Sequence, residues 1–160
     1  MIFISVGTAD KGFDRLLQAC DKIAAHSATK FFAQTGYSEF VPTYIKSTRW
    51  LSREQMKACY KQATSFIIHG GFGTISEVIR FNKPIIVVPR SFSEKEAVND
   101  QYDLCRHLSR ANYVHCVENV DHLESVLKNI ALGQLRPFEV STQIPELIAA
   151  FIKGEMKKNN

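Results

Sequence analysis

Apolar positions in this chain fall into short unbroken runs that alternate with stripes at helical spacing. Residues 2–6 form an apolar run that ends at Gly7-Thr8, the pattern of a buried strand followed by a turn. Phe13, Leu16, Leu17, Cys20, Ile23 and Ala24 then recur at the period of an amphipathic helix, with Thr8 or Asp10 as its expected N-cap. Residues 30–34 predict a second strand closed by Thr35-Gly36, and residues 48–51 a third. Ser52 reads as the N-cap of a helix over residues 53–62, with Glu54 in its first turn. Residues 65–68 are a compact strand, residues 69–73 a glycine-rich turn, and residues 74–81 a helix with Ile75, Val78 and Ile79 as its buried stripe. Residues 84–88 predict another strand, stopped by Pro89. A loop over residues 90–98 leads into a helix through Leu108, then a strand over 113–117 and a helix over 120–131. Pro137 interrupts the chain before a last amphipathic helix over residues 144–152.

Strands that alternate with helices imply a parallel, doubly wound α/β sheet, because parallel neighbours need crossover connections. No repeat or linker divides the 160 residues, so they read as one domain, with a core over about 1–131 and a C-terminal helix near 142–153. In such sheets ligands bind beyond the carboxyl ends of the strands, where Gly7-Thr8, the turn at 69–73 and Pro89-Arg90 should emerge.

With 45% hydrophobic residues the chain can build an ordinary core. No stretch reaches the roughly 18–20 apolar residues of a membrane span. The N-terminus lacks the basic region and cleavage site of a signal peptide, and the four cysteines lack CxxC pairing. A reduced, cytoplasmic protein is expected. The charge of +4 is spread along the chain and is not interleaved with aromatics, which argues against nucleic acid.

The turn from His69 to Thr74 carries the chemistry. Glycines allow a tight bend and close approach of a ligand, and a helix start offers free N–H groups that suit phosphate. Glu77 stands about one helical turn further on, as an acceptor for sugar hydroxyls. A close-packed turn with Glu77 simply exposed is the competing reading. Gly71-Phe72-Gly73-Thr74-Ile75-Ser76 is only a partial dinucleotide fingerprint, and no acidic residue ends the next strand. No Gly-Lys-Ser/Thr of a Walker A loop occurs. His69-Gly70-Gly71 is similar to an esterase oxyanion loop, but no G-x-S-x-G elbow accompanies it. A second polar cluster, Arg90 through Asn99-Asp100-Gln101, should lie at the same sheet edge. Its amide and carboxylate groups both donate to and accept from hexose hydroxyls; a solvated loop is the alternative.

Taken together, the blocks from His69 to Glu77, from Asn82 to Arg90 and at Asn99-Asp100-Gln101 resemble the C-terminal donor-binding domain of glycosyltransferase family 28. The nearer likeness is to stand-alone small subunits of that type, which the opening Phe3–Thr8 and Phe13–Leu16 also resemble. The resemblance implies a single Rossmann-like domain equivalent to the C-terminal half of a GT-B glycosyltransferase. It implies that Gly7 and Thr8, with Gly70, Gly71, Gly73 and Thr74, surround a diphosphate, and that Glu77 holds the ribose. Leu51 and Met56 would border the uracil ring. Asn99, Asp100 and Gln101 would face the donor sugar, with Arg90 near the phosphates or the sugar. His69 would touch phosphate or else only stabilise the turn.

The same resemblance implies an inverting transfer from a UDP-sugar to a lipid-linked saccharide acceptor, with no cofactor. No DxD motif is present and no metal is expected. Stabilisation of the leaving diphosphate would come from preorganised N–H donors. No residue here is assigned as the general base. That role, with acceptor binding, would fall to a membrane-associated glycosyltransferase subunit that holds this chain at the inner face of the membrane. The alternative is a non-catalytic nucleotide-sugar-binding or enhancer subunit.

Overall fold

The computed structural model describes residues 1–130. In chain order the elements are β1 (Ile2–Ser5), α1 (Asp14–Ala24), β2 (Phe31–Gln34), β3 (Lys46–Thr48), α2 (Arg53–Gln62), β4 (Ser65–His69), α3 (Phe72–Val78), β5 (Ile85–Val88), α4 (Tyr102–Arg110), β6 (His115–Cys116) and α5 (Leu123–Asn129). Single turns of 3-10 helix at Ile79–Phe81 and Val120–His122 prolong α3 and precede α5. The six strands pair in the order β3-β2-β1-β4-β5-β6, every neighbour parallel. The doubly wound α/β expectation is therefore met, and the connections leave β1 and β4 in opposite directions. A crevice opens between those two strands at the carboxyl edge.

Strand residues alternate between two cores, one on each face of the sheet. Ile2, Ile4, Ile67, Ile86 and Val88 pack with Leu16, Leu17 and Cys20 of α1 and with Leu123. Phe3, Phe66, Ile68, Ile85 and Val87 pack with Tyr60 of α2, Ile75 and Val78 of α3 and Cys105 of α4. Burial on both faces explains why these strands read as continuous apolar runs.

Three features depart from the sequence expectation. Neither Thr8 nor Asp10 caps α1: Phe13 stands at the N-cap, and its N–H donates to Ser38 Oγ at 2.9 Å, so a residue from beyond β2 does the capping. β3 lies earlier than 48–51, because an edge strand needs backbone pairing and no apolar face; Lys46 and Ser47 are exposed. The segment leading to it has no helix, and Asp21 of α1 holds it by accepting the N–H groups of Thr43, Tyr44 and Ile45 at 2.8–3.1 Å. α4 starts at Tyr102, several residues later than expected, since residues 91–101 are folded on their own hydrogen bonds. Helix α2 begins as expected at Arg53, where Ser52 and Gln55 form a reciprocal capping box. The helix expected over 144–152 lies outside the described residues.

Candidate functional site

A groove of about 660 Å³ opens at the β1/β4 switch point. Its floor is the end of β1 and β2. Ser5 Oγ donates to Gln34 Oε1 at 2.8 Å, while Gln34 Nε2 donates to the carbonyls of Gly7 and Arg49, both at 3.1 Å. Gln34 thus ties the strap after β1 to the strap after β3. Gly7 itself turns with φ +80°, a conformation open to glycine at little cost.

One wall is α2 with the segment before it: Trp50, Leu51, Met56 and Tyr60 supply apolar surface, and Arg53, Lys57 and Lys61 follow one another at helical spacing. The facing wall is α3 with Gly73, Thr74 and Glu77, then Arg80 and Phe81. The first helical bond of α3 runs from Ile75 N to Gly71 O, so the N–H groups ahead of it point out at the groove end. Glu77 is exposed and accepts a hydrogen bond from the Tyr60 hydroxyl at 3.0 Å. Seven of the expected residues therefore converge here: Gly7, Thr8, Leu51, Met56, Gly73, Thr74 and Glu77.

The remaining expected residues stand behind or beside the groove. His69 is buried, and its imidazole fills the space next to two glycines: a Cβ on either Gly7 or Gly71 would overlap the ring. A Cβ on Gly70 would overlap Cys105 Sγ. Three glycines are thus required by the protein's own packing, whereas a Cβ on Gly73 would meet open space. Burial, reinforced by the positive charge of Arg90, pushes the His69 imidazole down to about 4, so the ring is neutral at pH 7. It serves as the packing element of the turn and offers no charge to a phosphate.

Arg90 is a correction. The resemblance placed it near phosphate or sugar, but its side chain is 1% exposed and does not line the groove. Nη1 donates to the carbonyls of Lys11, Gly12 and Glu96, and Nη2 to that of Val6, at 2.7–3.0 Å. The guanidinium also stacks on Phe13 at 4.8 Å. Only a planar fork with several donors can join so many carbonyls, which is why the residue is consumed by the backbone. It binds the loop after β1 to the loop after β5, helped by a bidentate pair between Arg15 and Glu96 at 2.7 and 2.9 Å.

Asn99, Asp100 and Gln101 emerge at the same sheet edge, outside the groove lining. Asn99 is exposed. Asp100 Oδ1 accepts from Phe92 N at 2.7 Å, and Gln101 Oε1 from Arg90 N at 3.2 Å, so part of each side chain shapes the loop. Ser5, Gln34, Tyr60 and the cations of α2 were not foreseen as site residues. A polar residue closing an otherwise apolar strand, as Gln34 does, was the available signal. Among the described residues no three His, Cys, Asp or Glu converge to hold a metal, and no helix is long and apolar enough to cross a membrane.

The groove brings together an apolar wall, one carboxylate and the backbone donors at the start of α3. Comparisons with known proteins bear on the family and the fold. The model of the glycosyltransferase family 28 C-terminal domain matches residues 1–156. No curated protein matches the chain by sequence. Among solved structures it is similar to the glycotransferase of kitacinnamycin, with TM-score 0.61 and 19% identity over 81% of this chain and 34% of that one. It is also similar to the calicheamicin glycosyltransferase CalG4, with TM-score 0.64 and 12% identity over 82% of this chain and 34% of the other. A third is the Streptomyces sp. SF2575 glycosyltransferase SsfS6 complexed with thymidine diphosphate, with TM-score 0.55 and 16% identity over 81% and 34%. At such identities the likeness is one of fold, and this chain spans about a third of the length of each of those proteins. Because the family model covers nearly its whole length, the chain belongs to the family of glycosyltransferase family 28 C-terminal domains.

Proposed function

We propose that the groove binds a UDP-sugar and that this chain is the donor-binding catalytic subunit of an inverting, metal-independent glycosyltransferase. The acceptor is a lipid-linked saccharide in glycan or polysaccharide precursor synthesis, and a membrane-associated partner subunit supplies acceptor binding and the general base. The observation that carries the reading is the convergence of Gly7-Thr8, the open start of α3 at Gly73-Thr74, Glu77 and the Leu51–Met56 cleft on one slot. Those groups suit a diphosphate, a ribose and a base. Leaving-group charge would be met by fixed N–H dipoles that need no reorganisation.

A binding partner at this edge is supported by the rim. Tyr37, Trp50, Phe72 and Phe92 are all exposed and follow the carboxyl ends of β2, β3, β4 and β5. Aromatic side chains gathered at one edge are typical of a protein-binding face.

Isothermal titration of the chain with UDP, UDP-glucose, UDP-galactose, UDP-glucuronic acid and UDP-N-acetylglucosamine, with and without EDTA, tests the reading. EDTA-insensitive binding, tighter for one sugar than for UDP, is expected. Failure of every nucleotide to bind both the chain and its co-expressed pair would overturn it. One observation favours the enhancer alternative: among the described residues Glu77 is the sole acid lining the groove and no histidine lines it. Glu77→Ala separates the two, since a catalytic donor site loses most activity in the reconstituted pair and an enhancer does not.

A further inference from the structure

Tyr60 points inward from α2 and is 2% exposed. Its ring lies among Phe3, Phe66 and Phe81, with centroids 5.7, 5.9 and 5.8 Å away. Packing of this kind leaves the ring one orientation, so the hydroxyl is delivered to one place. That place is the groove, where it donates to Glu77 Oε2 from the opposite wall.

The identity of the donor matters as much as its position. Lys57, Lys61 and Arg80 line the same groove, yet Glu77 forms no ion pair among the described residues. A neutral phenol restrains the carboxylate without cancelling its charge. Burial, and the negative charge of Glu77, hold the phenol above the ordinary tyrosine range, so it remains a donor at working pH. With one lone pair taken on Oε2, the carboxylate keeps Oε1 and a second lone pair for a ligand. Two acceptor positions side by side match the two donors of a vicinal diol.

We propose that Tyr60 is a positioning residue that aims Glu77 at the 2′- and 3′-hydroxyls of the donor's ribose and so makes the groove select ribo- over deoxyribonucleotides. This rests on the donor-site reading above. A deoxyribose leaves one aimed acceptor without its donor, and that loss weakens binding more when the acceptor is held in place than when it sits on a mobile side chain. Without the Tyr60 hydroxyl, Glu77 is an ordinary exposed glutamate that must be ordered by the ligand itself.

The test is titration of the full chain, alone and with its partner, against UDP and 2′-deoxy-UDP. Wild type, Tyr60→Phe, Glu77→Gln and the double variant are compared. Wild type should prefer UDP by about tenfold, the scale of one charge-assisted hydrogen bond. Tyr60→Phe keeps the aromatic packing, and its melting temperature should be close to that of wild type. Its preference for UDP should shrink to about threefold or less, chiefly through weaker UDP binding. Glu77→Gln should erase the preference, and adding Tyr60→Phe to it should change nothing more. An unchanged UDP preference in Tyr60→Phe overturns the inference. So does an equal loss for both nucleotides, which marks a merely structural role, or an additive loss in the double variant. Absence of UDP binding by wild type in either form overturns the donor-site reading itself, and is told apart by needing no variant.

Discussion

Glu77 and Asp100 are both exposed carboxylates at the carboxyl edge of one sheet, and the two regions that hold them treat polar groups in opposite ways. In the loop after β5 the polar side chains serve the backbone. Asp100 holds Phe92 N, Glu96 holds Ser91 N and Arg15, Gln101 holds Arg90 N, and the Ser91 and Ser93 hydroxyls meet at 2.7 Å. In the groove the side chains of Thr8, Thr74, Lys57, Lys61 and Arg80 enter no hydrogen bond or ion pair among the described residues. Irregular backbone between two elements must satisfy its own N–H and carbonyl groups, so a loop consumes its polar residues. A groove flanked by two helices and three strand ends has most of its backbone already paired, the N–H groups at the start of α3 apart, and several of its side chains are left for a ligand.

If the loop is a self-supporting brace, the largest effect should come from its centre. Arg90→Met leaves four carbonyls without their donor and should lower unfolding free energy by about 4 kcal/mol, read from the urea midpoint. Arg90→Lys should recover less than half, because an ammonium cannot span both loops. A loss below about 1 kcal/mol for Arg90→Met would remove the brace from the comparison.

Next in size is a pH effect beneath the groove. The His69 imidazole titrates at 6.5 when unperturbed and at about 4 in the fold. As pH falls, the unfolded chain takes up this proton first, so stability present above pH 6.5 declines down to about pH 4 and then levels. The decline attributable to this residue is up to about 3 kcal/mol. Stability curves of wild type and His69→Asn should therefore converge across that window. Parallel curves would show that His69 is not the titrating group.

The smallest effects sharpen the distinction between the two kinds of glycine. Gly71→Ala drives a Cβ into the His69 ring and should destabilise by about 2 kcal/mol. Gly73→Ala meets open space within a helix and should leave stability unchanged or raise it by about 0.5 kcal/mol. Its consequence should appear instead as weaker UDP binding by titration. A Gly73→Ala variant that binds UDP as wild type does would place the diphosphate elsewhere.

Much of the site was legible because its signals are local. The strand from Ser65, the turn and the helix beyond it follow from apolar run, glycines and helical stripe, and Ser52 was readable as a cap three residues before its partner N–H. The α1 cap was not, since Ser38 reaches Phe13 from twenty-five residues away. Nor was Tyr60, which in sequence is one more apolar residue on a helix; its hydroxyl gains meaning only when α2 and α3 face each other. Arg90 misled for a related reason. The family resemblance set it near phosphate or sugar, and nothing nearby in sequence reveals that the carbonyls of Val6, Lys11 and Gly12 will surround it.

What the sequence by itself determined is therefore the order and type of the elements, the parallel doubly wound class and the half of the site carried by the glycine turn. These depend on periodicity and on backbone freedom, which are properties of neighbours along the chain. Which glycines make room for a ligand and which for His69, and which polar groups brace a loop and which stay open, was decided only by the tertiary structure. Hydrogen bonds and steric exclusion act over a few ångströms in space, and the partners that compete for each group are brought within that range only when the sheet closes.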